Sequence, residues 1–578
     1  MFVTSFYIKQ LHSMRLKGFR LLTIITALVL SNNVLAQSID DVLNRGQVHG
    51  NFGTDLQYYK VDSLIGANTT PDEDVLMNGF ANFIYTNGNF SAGFRYESYM
   101  NALQGFPTKY KGNGIGYRFA SYTNDDMTVT VGNYYEQFGN GLIFRTYEAL
   151  GGLGYDNSMD GLLVKYKLRD GLYVKGIIGT QRLYFEQGEG ILRGVDGELM
   201  VNDFIGGSLK ESKTKLTIGG SFISKYQADQ SSQYNLPENV GAYSGRFLLR
   251  HRKISFNGEY AEKINDPSFD NGYIYKKGTA FYAETAYSTK GFGITLTAKG
   301  NDNMSFRSDR DAIEEDLLIN YIPALTRQHT YNLLATLYPY ATQPNGEMAF
   351  QGELVYKLKK KSLLGGKYGM GILLNYSTIY NIDSTAVESA ENDSTQMGYT
   401  TKLFSVGNER YYDEINIEIT KKFSKKLKGI FTYSNMIFNQ AVIQGKVPSE
   451  YPDVYANIGV IDLTYKINKK HAIRTELQGL FTQQDQKEWA TLLIEYSFSP
   501  HWFIAVMDQY NYGNTKKDVD GNFSDRIHYY FASAGYVRGA NRFQVGYGRQ
   551  RAGIFCVGGI CRTVPAANGL TVSITSSF

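Results

Sequence analysis

Residues 570–578 read LTVSITSSF and end the chain with a period of two. Leu570, Val572, Ile574 and Phe578 fall on one face of an extended strand, and hydroxyl residues fill most of the other face. An apolar face that alternates with a polar face is typical of a membrane β-strand between lipid and a wet lumen. The last residues therefore predict a strand of a transmembrane β-barrel.

The beginning of the chain carries the features of a secretory signal peptide. Basic residues precede an apolar run at 21–30 (LLTIITALVL), and Val34-Leu35-Ala36 precedes Gln37 as a small-residue cleavage site. The three features together favour a cleaved signal peptide over the alternative, a buried core helix. We predict a signal peptide at 1–36 with Met14 as an alternative start, a short periplasmic segment at 37–45, and a barrel at 46–578.

The remaining sequence has no run that resembles a transmembrane helix, which requires roughly 18 to 20 consecutive apolar residues. A chain that crosses a bilayer without helices must close into a barrel, because lipid cannot satisfy an open sheet edge. The 46 tyrosines and 34 phenylalanines against 2 tryptophans suit interfacial aromatic girdles. A formal net charge of +4 does not indicate a nucleic-acid partner.

Alternating segments joined by turns and polar loops continue from residue 46 to the end. Asn87-Gly88 between two such segments is a strong hairpin signal. Counting the hairpins gives about 24 strands, within a range of about 22 to 26 and even in number as in bacterial barrels. We therefore predict an all-β, transmembrane, antiparallel up-and-down β-barrel with no separate plug domain.

Alternation also assigns side chains to the lumen, since a charge on the lipid face costs roughly 2–4 kcal/mol. Glu136, Arg145 and Glu148 are candidates for a constriction if their glycine-rich segment folds inward, and a bulged strand with a surface loop is the alternative. The spacing of 311–321 (DAIEEDLLINY) before Pro323 predicts a short helix in a long loop. The other predicted lumen residues are Arg246, Arg250, Glu259, Glu284, Glu418, Asp462, Lys466, Arg474 and Glu476. The interior should therefore be polar, and its mixed signs argue against strong selection between anions and cations.

Cys556 and Cys561 enclose a Gly-Gly turn between the last two predicted strands, on the surface side. Cysteines across such a turn can reach the roughly 4.4–6.8 Å Cα separation of a disulfide, and the cell envelope is oxidising. A metal site is the alternative, but it lacks ligands because no histidine lies nearby. We predict a disulfide that staples a surface loop.

Catalytic and cofactor motifs are weak throughout the sequence. A barrel hydrolase would need a serine and a histidine held together on adjacent strands, a geometry that the seven histidines do not establish. No phosphate loop or dinucleotide fingerprint of good quality occurs. We expect no enzymatic activity, no metal and no cofactor.

Four motifs together resemble a functionally uncharacterised family of outer-membrane β-barrels from Bacteroidetes-type bacteria, defined as a domain of unknown function. They are YEQFG at 135–139, NYIPAL at 320–325, GGKYG at 365–369 and CVGGICR at 556–562. The resemblance spans essentially the whole mature chain. It implies a location in the Gram-negative outer membrane and supplies no activity, so no functional residues can be carried over.

Two functions fit these observations. The first is a channel or facilitated pore for a solute; the second is a non-transporting scaffold that docks surface or periplasmic partners. An unlined barrel of about 24 strands would breach the membrane barrier, so inward loops, paired charges, or a plug or lipoprotein partner must narrow it. The other expected partners are outer-membrane lipid and the barrel-assembly machinery, because the final strand resembles the sorting strand of such barrels.

Overall fold

The structure is a computed structural model that describes residues 46–148, 154–388, 395–517, 521, 524–557 and 560–578. The side chains of residues 108, 403, 554–557 and 560–562 also lie outside the description. The predicted signal peptide and periplasmic segment fall outside the described residues, and the first strand begins at Gln47.

A 24-stranded antiparallel sheet closes on itself into a barrel. Each strand pairs with the next in sequence, and the first strand closes the ring by pairing with the last, from Asn51 opposite Ser577 to Tyr59 opposite Gly569. The predicted topology and strand number are confirmed. The barrel strands are β1 (Gln47–Tyr59), β2 (Val75–Asn87), β3 (Phe90–Asn101), β4 (Gly112–Thr123), β5 (Met127–Tyr134), β6 (Met159–Arg169), β7 (Leu172–Leu183), β8 (Glu186–Met200), β9 (Thr214–Tyr226), β10 (Asn239–His251), β11 (Ile254–Lys263), β12 (Gly278–Thr289), β13 (Phe292–Asp302), β14 (Gly346–Leu358), β15 (Met370–Ala386), β16 (Tyr399–Lys422), β17 (Leu427–Phe438), β18 (Val454–Lys466), β19 (His471–Phe481), β20 (Trp489–Phe498), β21 (Trp502–Tyr510), β22 (His528–Arg538), β23 (Asn541–Gln550) and β26 (Ala567–Ser577).

Shorter elements lie between these strands. A hairpin of β24 (Gly553–Val557) and β25 (Ile560–Val564) precedes the last strand. The described helices are α1 (Val201–Ile205), α2 (Asn332–Thr336) and α3 (Gln440–Ile443). Among the described residues, no helix is long and apolar enough to cross a membrane.

The two ends of the barrel differ in the length of their connections. At one end most strands are joined by tight turns, such as Gly88-Asn89, where Gly88 adopts a positive φ of 56° that suits glycine. The opposite end carries the long connections, including 135–158 and 303–345. Outer-membrane barrels place short turns in the periplasm and long loops outside, so the long-loop end is the extracellular end.

The strands turn alternate side chains toward lipid and lumen. In β18, Ile461 is 43% exposed on the outer face, whereas its neighbour Asp462 is 6% exposed on the inner face. In β16, Ile415 is likewise exposed while Asn416 is buried. An outer surface of exposed apolar and aromatic side chains around a closed sheet is the surface that a bilayer requires.

The C-terminal strand β26 is integrated into this wall as predicted. Leu570, Val572 and Ile574 pair with the outward residues Tyr547, Val545 and Phe543 of β23. The backbone of Phe578 exchanges two hydrogen bonds with Gly50, and its ring lies 5.9 Å from that of Phe83. Recognition of this strand by an assembly machinery stays a prediction.

The lumen is less polar than the sequence predicted. Two apolar clusters occupy its extracellular half, because long loops fold back and pack against the inner faces of the strands. In one cluster, side chains of the β5–β6 and β13–β14 connections pack against β6–β12. In the other cluster, side chains of the β13–β14 connection pack against β14–β20. The prediction of a polar interior therefore holds for the buried polar and charged side chains of the wall but not for these two clusters, where burial of apolar loop side chains makes apolar wall residues favourable.

Candidate functional site

The connection between β5 and β6, described at 135–148 and 154–158 and here called inner loop A, folds into the lumen in its described part. Leu142, Ile143 and Phe144 are fully buried in it. The backbone and side-chain amides of Asn140 donate to Glu259 Oε2 on β11, at 2.6 and 2.8 Å. Of the two alternatives for this segment, the inward loop is confirmed.

The three constriction candidates of inner loop A do not form one cluster. Glu136 forms ion pairs with Lys165 of β6 and Lys175 of β7, at 2.5 and 3.0 Å. Arg145 stacks over the ring of Tyr321, 4.2 Å from its centroid. Glu148 is exposed beside residues outside the description, and its role as a constriction residue stays a prediction.

The connection 303–345, here called inner loop B, lines the lumen wall over half of the ring. Its first part lies against β9 and β7, where Lys225 Nζ donates to Arg307 O at 2.9 Å and Gln181 Nε2 donates to Leu318 O at 2.8 Å. Further along, the backbone N–H of Leu333 donates to Gln478 Oε1 of β19 at 2.9 Å. Because β7 and β19 are twelve places apart in the 24-stranded ring, this loop connects opposite sides of the barrel.

The helix predicted at 311–321 is wrong. Glu314 and Leu317 adopt positive φ angles of 53° and 56°, which a right-handed helix does not allow. Buried contacts determine this backbone, since the side chains of Leu317 and Ile319 are turned into the apolar interior. The helix of inner loop B is instead α2, which packs among the residues that line β14–β20.

Inner loop B is anchored to its wall by polar contacts. Arg327 forms ion pairs with Glu418 of β16 at 2.9 Å and Glu353 of β14 at 3.5 Å. His329 Nε2 lies 2.6 Å from Glu414 Oε1, and both side chains are almost fully buried. These contacts hold the loop on the wall beneath the extracellular opening.

Carboxylates dominate the inner face from β14 to β20. We call this surface the acidic wall. Its members are Glu353, Glu414, Glu418, Asp462, Glu476 and Glu495.

The compensation of the acidic wall is incomplete. Arg474 forms ion pairs with Asp462, Glu476 and Glu495 at once. Arg474 and Arg327 are two guanidinium groups for the six carboxylates of the wall, and His329 is a hydrogen-bond partner of Glu414. Among these contacts the carboxylates therefore outnumber the cations.

The inner face from β6 to β11 is rich in cations, but acids close to them balance their charge. Arg246 lies 2.7 Å from Asp196, and Lys225 lies 2.8 Å from Asp266. Glu136 of inner loop A forms ion pairs with Lys165 and Lys175 of this wall. Carboxylates thus outnumber cations among the ion pairs of β14–β20, whereas the pairs of β6–β11 are balanced. That mixed signs argue against strong selection between anions and cations stays a prediction.

The remaining predicted lumen residues occupy varied positions. Glu284 accepts a hydrogen bond from Tyr282 at 2.8 Å inside β12. Arg250 and Lys466 lie on the inner face by alternation but at the exposed short-turn end, away from the loops. Arg327, His329 and Glu414 were not predicted from the sequence as lumen residues. Of the three, only Glu414 had a sequence signal, which is the two-residue alternation of β16.

The two cysteines face each other in the extracellular hairpin. Cys556 of β24 and Cys561 of β25 are direct register partners. Their side chains lie outside the described residues, so the disulfide stays a prediction. In the part of the chain that is described, no group of three or more His, Cys, Asp or Glu side chains could hold a metal ion.

Several solved structures are similar to the chain at low identity and with TM-scores below 0.5. The siderophore receptor PirA from Pseudomonas aeruginosa is 10% identical with a TM-score of 0.39, covering 92% of this chain and 80% of that one. The P pilus usher (PapC) translocation pore is 8% identical with a TM-score of 0.40, covering 92% and 99%. The outer membrane protein opdK from Pseudomonas aeruginosa is 11% identical with a TM-score of 0.34, covering 78% and 98%. Likeness at this level supports no conclusion about the fold or the role of this chain.

The comparison with protein families is more direct. No curated protein matches the chain. The expected membership in an uncharacterised family is confirmed, whereas the Bacteroidetes-type origin stays a prediction. A family of unknown function, DUF6029, matches residues 17–578, and the chain belongs to this family.

Proposed function

We propose that this outer-membrane-type barrel is a channel for a small solute and that the acidic wall gives its passage a preference for cations. The observation that carries the proposal is the partial exposure of lumen carboxylates: the side chains of Glu353, Glu418 and Glu495 are 39%, 26% and 39% exposed. Charged side chains within a membrane protein are costly and mark ion or substrate pathways. Acidic linings select cations in channels.

The inner loops support a narrowed passage without a separate plug. A barrel of this strand number is wide when unlined. Inner loop A packs on β6–β12 and inner loop B continues to β20, so protein fills part of the cross-section on both sides. The proposal therefore needs no second protein to keep the membrane barrier, and it assigns no catalytic step to the chain.

Lysines near the periplasmic mouth do not cancel the acidic wall. Lys357, Lys422 and Lys466 lie on the same strands as Glu353, Glu418 and Asp462, four positions closer to the short turns, and Lys428 of β17 lies opposite Lys422. Four residues of strand span about 13 Å. This distance exceeds a Debye length of about 8 Å at physiological salt, so the acidic wall dominates the field deeper inside.

Planar-bilayer recordings test the proposal. The purified mature chain should give single-channel steps, and the reversal potential in a KCl gradient should have the sign of a cation-preferring pore. The double variant Glu353→Gln, Glu418→Gln should shift the reversal potential toward zero. Glu450→Gln is the matched control, because Glu450 is an exposed carboxylate in the extracellular connection after β17.

Two outcomes contradict the proposal. Absence of conductance at high protein density would leave the scaffold as the better function. Conductance whose selectivity is the same in the double variant and in the control would show that another part of the lumen determines the passage.

A further inference from the structure

A cleft lies on the outer side of the barrel, at its extracellular rim. The extracellular part of the β15–β16 hairpin, described up to residue 388 and again from residue 395 and here called the hairpin tip, bends back over the neighbouring strands. Its pairing is irregular at Ile379/Tyr380, Tyr380/Ile382 and Ile382/Ser384. Such bulges bend a strand and change its twist. We call the space between the bent tip and the outward face of β11–β14 the outer cleft, and its volume is about 560 Å³.

The lower part of the outer cleft is apolar. Phe404 of the hairpin tip, held at a positive φ of 64°, places its ring 4.6 Å from that of Phe281 on β12. Tyr260 pairs with Phe281 across β11 and β12 and is exposed on the outer face. Met348 and Ile382 complete this part of the lining. These side chains form an apolar slot that continues the lipid-facing surface of the barrel.

The upper part of the outer cleft is polar and is organised by one buried carboxylate. Asp302 accepts hydrogen bonds from the hydroxyls of Tyr399 and Thr401, at 2.7 and 2.5 Å, and forms an ion pair with Lys276. These bonds hold the hairpin tip on the end of β13. They also bring the hydroxyl groups of the tip close to Lys276.

Two further lysines line the same rim. Lys277 is 65% exposed and lies 3.1 Å from Glu262. Lys402 is exposed on the hairpin tip and forms no ion pair with a described residue. The polar part of the outer cleft therefore offers ammonium groups with free hydrogen-bonding capacity, which suits an anionic group.

We propose that the outer cleft binds a phosphorylated, acylated lipid of the outer leaflet, with an acyl chain in the apolar slot and a phosphate at the lysine rim. The relative positions of the apolar slot and the lysine rim support this inference, because the slot opens from the lipid-facing wall and the lysines lie toward the extracellular end. A ligand that contacts both must itself be amphiphilic and anionic. Basic side chains at a membrane surface attract anionic lipid headgroups, and pockets of roughly 300–1,000 Å³ are typical ligand sites.

Native mass spectrometry of the full mature chain tests this site. The barrel is reconstituted in phosphatidylcholine nanodiscs that contain a small fraction of a bisphosphorylated, acylated glucosamine disaccharide, and is then released into detergent. We expect the phosphorylated lipid to be retained, and retention to fall about tenfold or more in the double variant Lys277→Gln, Lys402→Gln. Phe281→Ala should reduce retention through the apolar slot. The control Lys469→Gln, in an exposed turn at the opposite end, should not change it.

The design separates the phosphate from the acyl chain. The same lipid without its phosphates should be retained as weakly as in the lysine double variant. Equal retention of phosphorylated and unphosphorylated lipid would overturn the proposal, as would equal retention by wild type and both cleft variants. A heat-dependent shift in semi-native electrophoresis establishes for each variant that the barrel is folded, so weak retention is not a folding defect.

Discussion

His329 of inner loop B is joined to Glu414 on the inner face of β16, with Nε2 and Oε1 2.6 Å apart. Glu414 also accepts hydrogen bonds from Ser434 at 2.7 Å and Tyr412 at 3.1 Å, and its side chain has no solvent exposure. Loss of a donor to a buried polar group costs roughly 1–3 kcal/mol. This contact is therefore a main anchor of inner loop B on the acidic wall.

His329→Ala should loosen the second part of inner loop B. A loss of about 1–3 kcal/mol raises the opening equilibrium roughly 5- to 150-fold. Hydrogen–deuterium exchange of peptides from 325–340 should accelerate by a factor in this range, while peptides from β16 change little. His528→Ala is the control, since His528 forms a similar 2.7 Å pair with Asp508 at a much more exposed place. Unchanged exchange at 325–340 would show that apolar packing alone holds the loop.

Arg474→Met should increase the preference of the channel for cations. Arg474 is the shared ion-pair partner of Asp462, Glu476 and Glu495, so its removal leaves three carboxylates without their strongest compensation. The reversal potential in a KCl gradient should move further toward the value expected of a pore that passes only K⁺. Arg538→Met, at the exposed end of β22, should leave it unchanged. A shift toward anions would contradict the assignment of the acidic wall as the selective surface.

Burial raises the pKa of Glu315 in inner loop B to about 7, with Arg307 opposing the shift and Asp270 adding to it. A carboxyl with a raised pKa in the folded state stabilises the fold in its protonated form. That contribution is complete below the ordinary value of 4.5 and is lost as the pH rises through about 7.

Peptides from 305–318 should therefore exchange faster at pH 8 than at pH 5.5, after correction for the intrinsic chemical rate. Glu315→Gln should remove this difference, because an amide does not titrate. Glu314→Gln is a matched neighbour with an exposed side chain and should retain the difference. A pH dependence that survives in Glu315→Gln would assign it to another group.

The ring of strands could be predicted because its signals are local. The two-residue alternation of β26, the Asn87-Gly88 turn and the position of the cysteine hairpin each depend on neighbouring residues alone. The even strand number then follows from counting turns. The orientation of the barrel in the membrane follows as well, because the start of β1 and the end of β26 both lie on the side of the short turns.

The inner loops could not be predicted in the same way, because their conformation depends on a wall formed by distant strands. One signal was available in β18, where Ile458 and Val460 face inward while Ile461 faces lipid. A strand that is apolar on both faces requires a second apolar partner inside the barrel. The partner itself, inner loop B, has no strand periodicity, and the helix-like spacing of its residues 311–321 does not correspond to a helix, so Arg327 and His329 could not be placed from sequence.

Cys556 and Cys561 should form a disulfide in protein from oxidising medium. Direct register partners of an antiparallel hairpin bring their Cα atoms to about 4.5–5.5 Å, within disulfide range. Peptide mapping without reductant should give one linked peptide lighter by two hydrogens, and thiol alkylation should find neither cysteine free. Cys556→Ser should leave Cys561 open to alkylation and speed proteolysis within 551–566. Full alkylation of both cysteines in unreduced wild type would refute the bond.

Phe578→Ala should slow assembly of the barrel in the membrane. The substitution keeps the two backbone hydrogen bonds to Gly50 but removes the ring that lies against Phe83 at the junction of the first and last strands. Phe578 is 54% exposed, so the loss is that of one aromatic pair, about 0.5–1.5 kcal/mol, and the junction should close less readily. Pulse-chase labelling followed by semi-native electrophoresis measures the rate at which the heat-modifiable form appears. Phe543→Ala removes an outward ring of similar exposure from β23 and controls for aromatic loss away from the C-terminus. Slower assembly in Phe578→Ala than in Phe543→Ala supports a specific role of the final residue, whereas equal rates would reduce it to one more lipid-facing aromatic.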